Sequence, residues 1–171
     1  MVSVAISRLS AGLLVLCSSL LFPQTQPQNH TDNSQEKTLS VHANGAFDVK
    51  VSPLALSEQS ADPKLGRMSI EKQYHGDLEA TAKGEMLTGQ SEMKESGVYV
   101  AVERVTGTLK GKRGGFTMYH TGVMNRGKPE LKITVVPDSG TDELQGLTGT
   151  MDIKIDNGKH FYDFEYSLPQ K

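Results

Sequence analysis

Beyond residue 40, apolar and polar residues alternate with a period of two through most of the chain. The clearest run is the last. His160, Tyr162, Phe164, Tyr166 and Leu168 share one parity, and Phe161, Asp163, Glu165 and Ser167 share the other. Successive side chains of a strand point to opposite faces, so this run presents one aromatic core face. Asn157 and Gly158 precede it, and both tolerate the positive φ of a tight hairpin. Met151, Ile153 and Ile155, alternating with Asp152, Lys154 and Asp156, predict the other arm of that hairpin.

The same rhythm predicts the remaining elements. In residues 40–56, Phe47, Val49 and Val51 form the core face, and Pro53 ends or kinks the strand. In residues 67–86, Met68, Ile70, Tyr74, Leu78, Ala80, Ala82 and Met86 oppose a parity that includes Arg67, Glu71, His75, Glu79 and Glu85. One long bent strand, or two meeting at Gly76, satisfies that pattern. Phe116, Met118, His120, Gly122 and Met124 share a face, as do Leu131, Ile133 and Val135. A turn at Asp138-Ser139-Gly140 and a glycine-rich link over residues 144–149 connect onward. Residues 98–110 change phase: Val98, Val100 and Val102 have one parity, Val105 and Leu109 the other. One extra residue flips the facing of all that follow, so a β-bulge is expected at Glu103-Arg104.

No segment has a helical period, and about eight strands are expected. The fold class is therefore all-β, a single antiparallel β-barrel whose interior is filled or holds one small ligand. A two-sheet sandwich is the alternative. The glycines agree: of 17, all but Gly12 lie from Gly45 onward, spaced as turn punctuation.

Residues 9–22 form a mostly apolar run, with Arg8 the only charged side chain before Asp32. A spanning helix needs about 20 residues, so residues 1–24 read as a secretory signal peptide and the protein as exported to the periplasm or beyond. No membrane span is expected after its removal. Cys17 follows Leu16, where lipoprotein processing requires a small residue, so no lipid anchor is expected. As it is the only cysteine, the mature domain has no internal disulfide. Residues 25–38 are too polar to offset chain entropy and read as a disordered spacer, with the Asn29-His30-Thr31 sequon a chance match. The barrel domain spans residues 39–168.

Charge and motifs narrow the chemistry. A net charge of −2 with both signs interspersed gives no electrostatic footprint for nucleic acid. The basic segment of residues 110–115 lacks P-loop spacing and reads as a solvated hairpin turn. His42, His75, His120 and His160 are widely separated, so no metal site is expected, and no cofactor fingerprint occurs. His120, on an inner face with Met118, needs a partner, because an unsatisfied buried polar group costs about 1–3 kcal/mol. Tyr162, His160, Glu103 and Arg104 are the candidates. Glu71, Glu79 and Glu85 share the parity of His75 and are expected outside.

Four stretches carry a resemblance: residues 66–79 (GRMSIEKQYHGDLE), 103–107 (ERVTG), 136–141 (VPDSGT) and 158–166. Together they resemble the bacterial family called domain of unknown function 3224, over about residues 43–168. The resemblance implies a small barrel similar to the allene oxide cyclase group, forming a homodimer. It implies no activity. Three functions stay open. The barrel binds a small, largely apolar ligand through His120, Tyr162, Glu103, Met118 and His160; it is a cyclase or isomerase using the same pocket; or it is a filled structural module. A cavity of roughly 300 Å³ or more separates the first two from the third.

Overall fold

The computed structural model describes residues 40–169; the expected leader and spacer lie outside them. Eight strands follow one another around a closed barrel. They are β1 (Val41–Leu54), β2 (Leu65–Gly76), β3 (Leu78–Gln90), β4 (Gly97–Leu109), β5 (Lys112–Asn125), β6 (Lys128–Val135), β7 (Thr148–Asp156) and β8 (Lys159–Ser167). Each pairs antiparallel with the next, and β1 closes the ring by pairing with β8, so that Phe47 lies opposite both Tyr74 and His160. The closed ring excludes the sandwich.

Tight turns hold the register. Lys110-Gly111, Arg126-Gly127 and Asn157-Gly158 each place two consecutive residues at positive φ, the geometry that matches the twist of two antiparallel strands. The polar run of residues 67–86 is two strands hinged at Gly76 (φ 107°), with Tyr74 opposite Ala80. Tyr162 explains the glycine at position 45. A Cβ on Gly45 would lie 2.0 Å from the His75 carbonyl oxygen and 2.6 Å from the Tyr162 hydroxyl oxygen. That hydroxyl accepts a hydrogen bond from the Leu78 N–H at 2.8 Å.

Two expectations are corrected. No bulge interrupts β4: its ladder runs unbroken past Glu103, which faces Gly84 on one side and Met118 on the other. Odd residues point inward throughout β4, so Val98, Val100 and Val102 lie outside, 48–56% exposed. The change of phase is therefore a surface run of valines followed by core residues on the other face. The glycine-rich link is also more than a link. Leu144 and Leu147 are fully buried, and the connection plugs one end of the barrel.

Residues 136–147 do this in place of strand pairing, since β6 and β7 share only the Thr134–Thr150 bridge. Thr141 donates its N–H to the Gly115 carbonyl at 2.9 Å, and Val136 does so to Thr117 at 2.8 Å. Ser139 and Thr141 hydroxyls accept from the N–H groups of Thr117 and Gly115, both at 3.0 Å. Outside, the Arg104 guanidinium donates to the Ser139 carbonyl at 2.9 Å.

Burial then runs along the barrel axis. At the plugged end, Leu78, Leu109, Phe116, Phe164 and Leu147 are at most 1% exposed. Toward the end bearing residues 55–64 and 91–96, inward side chains emerge. Along β7, Met151 is 2% exposed, Ile153 half-buried and Ile155 64% exposed. Leu131, Met124 and Val51 are likewise exposed on inward positions of their strands. One half is packed and the other is a mouth.

Candidate functional site

Where the packed half gives way to the mouth, four polar side chains meet. Lys72 on β2, Glu103 on β4 and His120 on β5 are the buried charged or polar residues of the interior, with Tyr74 beneath them. Strand parity places each: Lys72 is two residues from Ile70 and from Tyr74, and Glu103 two from Ala101 and Val105. Gly84 makes room, since a Cβ there would come within 2.7 Å of the Glu103 Cβ.

All three partners converge on one carboxylate oxygen. Glu103 Oε1 accepts from Lys72 Nζ at 2.9 Å and from the Tyr74 hydroxyl at 3.2 Å, and lies 3.1 Å from His120 Nε2. Lys72 also donates to the Tyr74 hydroxyl at 3.3 Å, and its ammonium stands over the Phe47 ring, 5.1 Å from the centroid. The aromatic faces thus share in solvating a cation removed from water. Glu103 Oε2 is buried and has no hydrogen-bond partner among the described residues.

Burial pushes the Glu103 pKa up, but the His120 hydrogen bond and the Lys72 charge outweigh it and hold the carboxyl below its ordinary value. Tyr74 is driven well above its ordinary value, first by burial and then by the Glu103 charge. The site is accordingly a carboxylate resting on a phenol that stays protonated. Such a carboxylate can accept a hydrogen bond or a proton. It is poorly suited to donate one at neutral pH.

The candidates named from sequence divide. His120 and Glu103 come together as partners, and Met118, fully buried, is the cross-strand neighbour of Glu103. Tyr162 does not join them. Its hydroxyl, besides accepting from Leu78, donates to the His75 carbonyl at 3.3 Å, and its ring meets Tyr74 edge-on. His160 is half-buried at the mouth, its ring tilted by 38° against Phe47 at 5.1 Å and outside the network. Arg104 faces outward. Glu71, Glu79 and Glu85 are exposed, as expected. Sequence reasoning missed Lys72, although it has the parity of Ile70 and Tyr74.

Among the described residues, concavities on the outer surface are bordered mainly by outward side chains. One of about 590 Å³ lies at Asn44, Ala46, His75 and Phe161, and one of about 340 Å³ at Asp48, Lys50, Glu71 and Lys83. Neither reaches Glu103. No group of three or more His, Cys, Asp or Glu among the described residues has metal-binding geometry.

Comparison with known proteins finds no match among curated ones. The family described as "Protein of unknown function (DUF3224)" matches residues 43–166. The chain is also similar to a solved structure, a DUF3224-family protein of unknown function from Shewanella oneidensis MR-1. The two are 41% identical, the match covers 78% of this chain and 100% of that one, and the TM-score is 0.72. A barrel of this topology, matched by the family over nearly all of its strands, makes this chain a member of the DUF3224 family.

Proposed function

We propose that the protein binds a small amphipathic molecule at the mouth of the barrel. The ligand's apolar body lies against Met68, Met86, Tyr99 and Ile153, which are half-buried on inward positions. Its single hydrogen-bond donor, a hydroxyl or amine, is directed at the Glu103 carboxylate. The observation that carries this reading is the unpartnered Oε2 of a fully buried Glu103, on the mouth side of Tyr74 and one layer of Ile70 and Ala101 below the half-buried apolar rim. A buried acceptor left without a donor is costly, and a ligand that supplies one recovers that cost.

A filled structural module is the competing reading, and the packed half of the barrel speaks for it. A cyclase or isomerase akin to the allene oxide cyclases would use the Glu103–His120 pair as proton acceptor. That reading rests on likeness of barrel architecture, and architecture does not carry chemistry. Export follows from the apolar run of residues 9–22 and would place the ligand outside the cytoplasm.

Native mass spectrometry of protein purified from its own host tests the proposal. A co-purifying small molecule is expected, and its retention should fall at least tenfold in Glu103→Gln. A second arm measures thermal shifts with decanol, decylamine and decanoate. The alcohol and amine should stabilise more than the acid, which brings a second carboxylate to the floor. An apo mass in every preparation, with no shift from any of the three, would favour the filled module.

A further inference from the structure

Among the described residues the barrel wall is incomplete at one place. Past the Thr134–Thr150 bridge, β6 stays paired with β5 and β7 with β8, but not with each other, so two strand edges face across a gap. Burial falls along both edges toward the mouth. On β6 exposure rises from 1% at Ile133 to 42% at Leu131, as it does along β7 from Met151 to Ile155. At the root of the gap the Thr134 hydroxyl is buried without a hydrogen-bond partner among the described residues. Lys128, Glu130 and Lys132 line the outside of one edge, and Asp152, Lys154 and Asp156 the other. All six are exposed, and none is in an ion pair among the described residues. Unpaired edges beside exposed inward apolar residues are a liability that folded chains cover.

We propose that this seam is a gate in the side of the mouth, which zips from Thr134–Thr150 in the register that the bridge sets. Antiparallel partners step in opposite directions, so Lys132 meets Asp152, Glu130 meets Lys154 and Lys128 meets Asp156. Every outward pair is then of opposite charge, which favours neighbouring strands, whereas like charges opposite each other destabilise them. On the inner face Ile133 meets Met151, Leu131 meets Ile153 and Pro129 meets Ile155, which extends the packed core toward the mouth. Neighbouring registers fail. A slip of two residues one way sets Lys132 against Lys154 and Glu130 against Asp156; the other way it sets Glu130 against Asp152 and Lys128 against Lys154. A slip of one pairs inward positions with outward ones. Each edge is thus matched to the other, and the occupant of the gap is the opposite strand. Closing covers Leu131 and Ile155 and narrows the opening above Glu103. What the gate admits rests on the ligand reading, but the zipping does not.

Disulfide trapping in the full chain carrying Cys17→Ser tests the gate, with variants compared at matched circular dichroism. Leu131→Cys/Ile153→Cys places two thiols opposite each other in the zipped register, within reach of a disulfide. Leu131→Cys/Ile155→Cys offsets them by about 7 Å along the strand, beyond that reach. The first pair is expected to oxidise about tenfold faster. Accessibility alone would favour the second, because Ile155 is the more exposed. Lys132→Glu, which sets an acid against Asp152, should slow trapping of the first pair about fivefold, and Lys132→Glu/Asp152→Lys should restore it. Trapping of the second pair as fast as the first overturns the gate. So does a Lys132→Glu effect that the double reversal leaves in place. Trapping is read without any ligand, so a failed gate leaves the ligand reading standing, and an apo mass in native mass spectrometry leaves the gate standing.

Discussion

Glu103 concentrates the energetics of the interior in one side chain. It is fully buried, carries a charge, and is balanced by Lys72, itself 8% exposed. Removing one member of such a pair strands the other charge, at a cost of about 3–5 kcal/mol. Urea unfolding of Glu103→Gln should show that loss. The double variant Lys72→Met/Glu103→Leu, which removes both charges, should recover most of it. If the double variant is as unstable as the single, the buried charge is not the cause. The acid dependence has a definite sign. The fold lowers the Glu103 pKa from its ordinary 4.5, so its contribution is complete above that value and is lost as pH falls through the lower, folded-state value. Plotted against pH, the unfolding free energy of Glu103→Gln should therefore fall less steeply in the acid range than that of the unsubstituted chain. Lys72 was the residue least legible from sequence. Parity placed it inside, but a lysine reads as solvated until a carboxylate and two aromatic rings are seen around it.

At the scale of elements, the 103–107 and 136–141 stretches that carry the family resemblance prove to be parts of one clasp. Arg104, Ser139 and Thr141 hold the start of the 136–147 connection along β5, where a longer β6 would otherwise pair. Arg104→Ala should lower stability by about 1–2 kcal/mol. It should also speed hydrogen exchange at the Gly115, Thr117 and Thr141 amides while leaving β2 and β3 protected; uniform exchange throughout would show that the clasp has no local role. Gly45→Ala should be worse than its one methyl suggests, because the His75 carbonyl leaves no room and β1 must move away from β2. A drop in unfolding midpoint of less than about 2 °C would contradict that close approach. Strand β8 could be read in full from its alternation, and so could the two strands hinged at Gly76. Strand β4 could not, because its outward valines are as apolar as its core residues.

At the scale of the whole molecule, closure joins the two ends of the domain, with Val41 opposite Tyr166. Pairing so distant in sequence makes loop closure the slow step, so stopped-flow refolding is expected in the millisecond-to-second range. Microsecond refolding would mean that closure is not rate-limiting. The all-β class, the number of strands and most of the packed interior were determined by the sequence alone, because a two-residue period and positive-φ turn residues act locally, whereas the choice of barrel over sandwich awaited the pairing of β1 with β8. Only the tertiary structure decided which end is plugged and which is open, that Lys72 and His120 share one carboxylate oxygen, and that the β4 valines face outward. Those are relations between strands far apart in the chain, and alternation within one strand says which residues share a face but not which face meets the core.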